Sequence, residues 1–262
     1  MPSGKRARQQ RREAAAHTPP PVRSKGGPRR PLRFSQRTLI IAPAVLVVLV
    51  GLGVGLPLAF SSSGGGQSSS QTAPLSTLGT LESPPALGSP GPEGPPLEKG
   101  PDLAPAGAPS PGGSVDGISC QSGEQVAFHI HARLTIFVHG VPERVPPGVG
   151  IADPQPQQSA RGPFVASGAC FAWLHTHAAD GIVHIESPVQ RTFTLGNFFD
   201  VWGQPLSQTR VGPARGHVTA LVNGRVWLGD PRSIQLQAHA QIQLEVGRPL
   251  VSPVRITDWF SL

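Results

Sequence analysis

The chain has little from which a familiar enzyme motif could be built. It lacks a Gly-rich phosphate loop, a G-x-S-x-G elbow and an H-E-x-x-H helix, so the usual sequence signs of phosphate binding, hydrolase chemistry and zinc proteolysis are missing. It has only two cysteines, Cys120 and Cys170, which limits it to one internal disulfide. Tyrosine is absent, and the four Trp and ten Phe read as core residues, not as a platform for stacked bases. Charge is missing altogether from residues 38–60, TLIIAPAVLVVLVGLGVGLPLAF. No soluble helix needs to be apolar all round, and twenty-three such residues are long enough to cross a bilayer.

What is present is unevenly placed. The net charge of +7 comes from residues 1–37, which hold eleven Lys and Arg against the single acid Glu13. From Asp116 onward there are ten Arg and ten Asp or Glu, so that part is formally neutral and the basic balance does not indicate a nucleic-acid face. A basic arm beside an apolar span predicts a single-pass anchor with its N-terminus cytoplasmic and everything after it outside the membrane. A cleaved signal peptide is the alternative, with cleavage after Ala59 or Phe60; the long basic region and the absence of a clear A-x-A site count against it. For the arm itself, a topology signal is preferred over a contact for anionic lipid or nucleic acid. Residues 61–115 are rich in Ser, Gly and Pro without hydrophobic periodicity, and they read as a disordered tether. The folded domain is expected over residues 116–262.

Within that domain, AFHIHARLTIFV (127–138) alternates strictly, with Phe128, Ile130, Ala132, Leu134, Ile136 and Val138 on one face and His129, His131, Arg133 and Thr135 on the other. It predicts a half-buried strand. Further strands are expected over 141–145, 170–177, 182–186, 217–222, 225–228, 234–237 and 242–246. TLGNFFDVWG predicts one helix, with Thr194 as N-cap, Leu195, Phe198, Phe199 and Trp202 on its apolar face and Gly203 at its end. The class is therefore α+β and β-rich, a mostly antiparallel sheet with one short helix. Strand, strand, helix, strand, strand is a β-grasp-like order for its second half, and a β-sandwich is the alternative.

Two His-x-His pairs stand out, His129/His131 and His175/His177, followed by His184 and Glu186. Strand alternation puts the members of each pair on one face. An Asp180-Gly181 hairpin turn would set His177 opposite His184 and His175 opposite Glu186. Imidazole suits Zn and Cu, and three protein ligands are enough for an open site. The bland alternative is sheet-surface or hydrogen-bonding histidines, exposed to solvent on strands or anchoring loops, with no ion bound. A cupin pattern fails, because no Glu follows the first pair at the required spacing. His217 and His239 read as strand-edge and turn residues. For Cys120 and Cys170 a disulfide is preferred in the oxidising exterior, over a thiolate ligand or a nucleophile paired with His175.

The segment CFAWLHTHAADGIVHIESPVQRTFTLGNFFDVWGQPL (170–206) resembles a family of membrane-anchored exported proteins of high-GC Gram-positive bacteria. The similarity extends over AFHIHARLTIFV and HAQIQLEVGRPLVSP, covering most of the domain and neither the arm nor the tether. Nineteen Arg against three Lys agrees with a GC-rich source. The resemblance implies export and anchoring, and it assigns no chemistry to any histidine. Two functional classes follow. One is an extracellular domain binding Zn or Cu through His129, His131, His175, His177, His184 and Glu186, and the other is a metal-free, non-enzymatic module contacting a cell-envelope partner. Catalysis is not indicated by either.

Overall fold

The computed structural model describes residues 71–262. The expected arm (1–37), apolar span (38–60) and start of the tether lie outside the described residues. Among the described residues no helix is long and apolar enough to cross a membrane.

In chain order the strands are β1 (Thr72–Ala73), β2 (Ser114–Val115), β3 (Ile118–Gln121), β4 (Phe128–Val138), β5 (Val141–Glu143), β6 (Ile151–Ala152), β7 (Pro156–Ser159), β8 (Gly162–Val165), β9 (Cys170–Ala172), β10 (Leu174–His175) and β11 (Ile182–Ser187). After helix α1 (Leu195–Trp202) come β12 (Leu206–Ser207), β13 (Arg210–Val211), β14 (Ala214–Arg215), β15 (Val218–Val222), β16 (Arg225–Trp227) and β17 (Gln241–Val246). The domain is β-rich with mostly antiparallel pairing and one α-helix among the described residues. Its main sheet runs β1-β16-β15-β17-β4-β11-β10, with β5 also on β4. The β17–β4 pair at its centre is parallel.

One face of this sheet is packed by α1. Ala132, Leu134 and Ile136 of β4, Val183 and Ile185 of β11 and Leu244 of β17 meet Phe198, Phe199 and Trp202 in one core cluster. The helix starts where the sequence places it, because the Thr194 hydroxyl accepts from the Asn197 backbone N–H while Asn197 Oδ1 accepts from the Thr194 N–H. Gly203 ends it at φ 72°, a left-handed geometry that glycine adopts without Cβ strain.

The other face is polar and is also covered, which corrects two sequence expectations. Residues 71–115 do not form a free tether but lie against the domain. β1 extends the sheet edge on β16, Glu98 N–H donates to Ala179 O, and Trp202 Nε1–H donates to Pro105 O. Leu103 and Ala104 are buried. A Pro-rich chain has no core of its own, but its extended backbone can dock on another surface and share that surface's burial. The ordered domain therefore begins well before residue 116. For the same reason β4 is not half-buried, since residues 131–137 are buried on both faces.

Three smaller differences concern individual elements. The expected strand 170–177 is split at Trp173 into β9, which pairs β3 and β6, and β10, which pairs β11. Residues 234–237 form no strand, because Ile234 and Leu236 drop into the core after a short 3-10 turn at Pro231–Ser233 and only Gln235 bridges, to Thr194. Cys120 and Cys170 are joined in a disulfide linking β3 to β9, and there is no free cysteine among the described residues.

On the polar face, Gln243 Nε2 donates to Glu245 Oε1 and to Val251 O. Burial pushes Glu245 up from 4.5 to about 7. A value raised on folding means that the neutral carboxyl is the favoured form, so its contribution is complete below about 4.5 and is lost as pH rises through about 7. Glu245→Gln is therefore expected to match the parent in stability at pH 4 and to exceed it at pH 8, by on the order of 1–3 kcal/mol. Urea unfolding at the two pH values checks this.

Candidate metal centre

Strands β10, β11 and β4 lie side by side, and their register builds the site. His175 stands opposite His184, His184 opposite His131, and Glu186 opposite His129. All five side chains therefore leave the sheet on the face away from α1. The sequence expectation had the faces right and the register wrong. The loop between β10 and β11 is longer than two residues and still even in number, so the same face is kept while His175 moves opposite His184. Thr176 draws the chain off the strand, since its hydroxyl donates to Pro146 O and accepts from the Val149 N–H. Asp180 Oδ1 then accepts from the Ile182 N–H and turns the chain into β11. Gly181 is needed there, with φ at +78° and a Cβ that would lie 2.4 Å from Leu134 O. His177 thus reaches the site from this loop and not from a strand.

The donor atoms converge. His131 Nε2 is 3.0 Å from His129 Nε2 and 3.1 Å from His184 Nδ1. Glu186 Oε1 closes the ring, 3.0 Å from His129 Nε2 and 3.3 Å from His184 Nδ1. Beside this ring, His175 Nε2 and His177 Nε2 are 3.1 Å apart. The six residues fall into two groups whose ligand atoms lie within 4.8 Å of one another: His129, His131, His184 and Glu186, and then His175, His177, His184 and Glu186. Such a His/Glu arrangement is positioned to hold a metal ion. Adjacent donors around a tetrahedral ion with bonds of 2.0–2.1 Å are roughly 3.3 Å apart, close to these separations. His129 is the exposed member, at 39% of its side chain, while the others are buried.

Hydrogen bonds from the outer ring nitrogens fix two of the imidazoles. His175 Nδ1–H donates to Ala172 O at 2.8 Å, and His177 Nδ1–H donates to Val165 O. Each ring is thereby held as the tautomer with its Nε2 lone pair facing inward, the pattern by which backbone carbonyls orient metal-binding histidines. Phe164 stacks on His177 with ring centroids 5.0 Å apart and limits its movement further.

The charge balance suits a cation. Burial, with neighbouring imidazoles adding to it, pushes His131 down to about 3 and His175 well below its ordinary value. His177 is also lowered by burial. These three rings are therefore neutral at pH 7 and present lone pairs. Burial alone would lower His184 too, but hydrogen bonds to Glu186 and Glu93 outweigh it and raise His184 to about 9. Likewise burial would raise Glu186, yet its bond with His184 holds it below the ordinary carboxylate value. A proton on His184 thus supplies positive charge in the middle of the cluster, and a metal ion at Nδ1 would displace it.

Two acidic residues at the site were not foreseen from the sequence. Glu93 Oε1 lies 2.7 Å from His184 Nε2, and Glu124 Oε1 lies 3.4 Å from His177 Nε2. Glu93 belongs to the stretch read as tether. The one available signal was a change of composition, since SSSGGGQSSS (61–70) has no apolar residue whereas residues 71–115 carry recurrent Leu. His239 stacks on Trp259, at 4.5 Å between centroids, and belongs to neither group. His139 and His217 are likewise outside both groups. Compared with known proteins, the chain matches no family model, no curated protein and no solved structure.

Proposed function

We propose that this chain is a membrane-anchored, exported protein whose domain binds a transition-metal ion, Zn or Cu, through His129, His131, His175, His177, His184 and Glu186. The observation that carries the reading is the His175–His177 contact. Both Nδ1–H groups are spent on backbone carbonyls, so the two Nε2 lone pairs face each other at 3.1 Å with no proton to share. A cation between or beside them relieves that repulsion, and imidazole nitrogen selects Zn or Cu over Mg or Ca. Burial of His131, His175, His177 and His184 speaks against the metal-free envelope module, which needed surface histidines. The basic arm and the apolar span 38–60 support anchoring with the domain outside the cell. For the fold we infer a β-grasp unit. The central parallel pair β4–β17 and the helix crossing between β11 and β15 support it over a sandwich.

Metal analysis of the purified full-length chain tests the binding. At least one equivalent of Zn or Cu is expected. Stripping the ion with a chelator should lower Tm by roughly 5–11 °C, which corresponds to about 2.7 kcal/mol of linkage at ion concentrations 100 times Kd. A chain with less than about 0.1 equivalent, whose Tm also ignores added Zn and Cu, is inconsistent with the proposal.

A further inference from the structure

We infer that the cluster is a two-ion centre bridged by the Glu186 carboxylate, with one ion held by His129, His131, His184 and Glu186 Oε1 and a second by His175, His177 and Glu186 Oε2. This deepens the metal-binding proposal and rests on it. The division follows from the donors. Each of the two groups has two imidazoles that the other lacks, and they share only His184 and Glu186. An ion with bonds of 2.0–2.1 Å reaches only donors within about 4.2 Å of each other, so it is served by one group and not by all six residues.

Glu186 is built as the link. Its Oε1 lies in the first group, 3.0 Å from His129 Nε2, and Oε2 faces the second, 3.9 Å from His175 Nε2. Oε2 is buried and has no hydrogen-bond partner, in a side chain 3% exposed. An unpartnered buried carboxylate oxygen costs free energy, and a cation in the second group supplies the missing partner. His184 bonds the first ion through Nδ1, which leaves Nε2–H to donate to Glu93 Oε1 as an outer carboxylate.

The two positions differ in character. Four protein donors close the first, whereas His175, His177 and Glu186 Oε2 leave the second with an open position. Glu124, 37% exposed and 3.4 Å from His177 Nε2, stands at that opening. An open groove lined by Pro92, Glu93, Gln157, Gln158, Ser159 and Phe164 runs past Glu93 and the ring that covers His177, offering an approach from solvent. The second ion is thus the exchangeable one.

Stoichiometry of the full-length chain, stripped and then reloaded with Zn(II), tests this. Two ions per chain are expected in the parent, one in His175→Ala/His177→Ala and one in His129→Ala/His131→Ala. A parent holding one ion overturns the two-ion centre and leaves the metal-binding proposal standing; a parent holding none overturns both. Because the double variants remove buried side chains, Cu(II) loading of the unaltered chain gives a second reading that needs no mutation. Paramagnetic resonance intensity should rise with the first equivalent and then fall short of two spins as a neighbouring ion couples to it. Linear growth to two independent spins would place the ions apart and overturn the bridge.

Discussion

His184→Ala is expected to lower the affinity of the chain for Zn(II) by more than about 100-fold, beyond the 10–100-fold typical when only a residue behind a ligand is lost. His184 sits on the middle strand, between His175 and His131, and it belongs to both donor groups. Its removal takes a nitrogen from the ring on β4 and β11. It also strands Glu93 and Glu186 as buried carboxylates facing each other without the imidazole between them. His184→Gln keeps the volume and a polar tip, but an amide is a poor substitute for imidazole toward Zn or Cu, and a similar loss is expected. His239→Ala serves as the comparison, because His239 donates its backbone N–H to His131 O yet belongs to neither group. Its affinity should stay within about threefold of the parent. Competition against a chromophoric chelator measures all three. Equal affinities for His184→Ala and the parent would remove His184 from the site.

Truncation is the second large effect. A chain beginning at residue 71 keeps every contact described above, whereas one beginning at residue 116 loses Glu93, Glu98, Leu103 and the Pro105 carbonyl. The consequence is greatest at Arg133, which is 2% exposed and ion-paired with Glu98 at 3.1 Å. Removing one partner of a buried pair leaves an uncompensated charge and costs about 3–5 kcal/mol. Loss of the buried Leu103 side chain and exposure of the polar sheet face add to that. Against a total stability of about 5–15 kcal/mol, a fall in Tm of more than about 10 °C, or no cooperative transition, is expected for the shorter chain. Thermal unfolding of the two chains side by side decides it. Identical transitions would restore the tether reading of residues 71–115.

The difference between those readings shows where sequence patterning carries information. Alternation along β4 correctly separates His129, His131 and Arg133 from Ala132, Leu134 and Ile136, because side-chain direction in a strand is set by the backbone itself. Burial is set by what lies on top, and alternation is silent about that. Residues 71–115 have no periodicity to read, since their order comes from backbone bonds to a surface formed by later residues. The same limit applies to the histidines. Two His-x-His pairs and His184 can be placed on faces from sequence, but the pairing of β11 with β4 depends on strand neighbours far apart in the chain. The register of β10 depends on Thr176 and Asp180, whose side-chain bonds to Pro146 and Ile182 are local chemistry overriding the shortest turn. The helix was legible because its signals, the Thr194 cap, the apolar spacing and Gly203, all lie within ten residues.

X-ray absorption at the edge of the bound metal addresses the site most directly. The proposed centre predicts an inner shell of three or four nitrogen and oxygen atoms at about 2.0–2.1 Å, with the outer-shell scattering of several imidazole rings, and loss of most of that ring scattering in His184→Ala. A shell of oxygen alone, or imidazole scattering that survives His184→Ala unchanged, would contradict it.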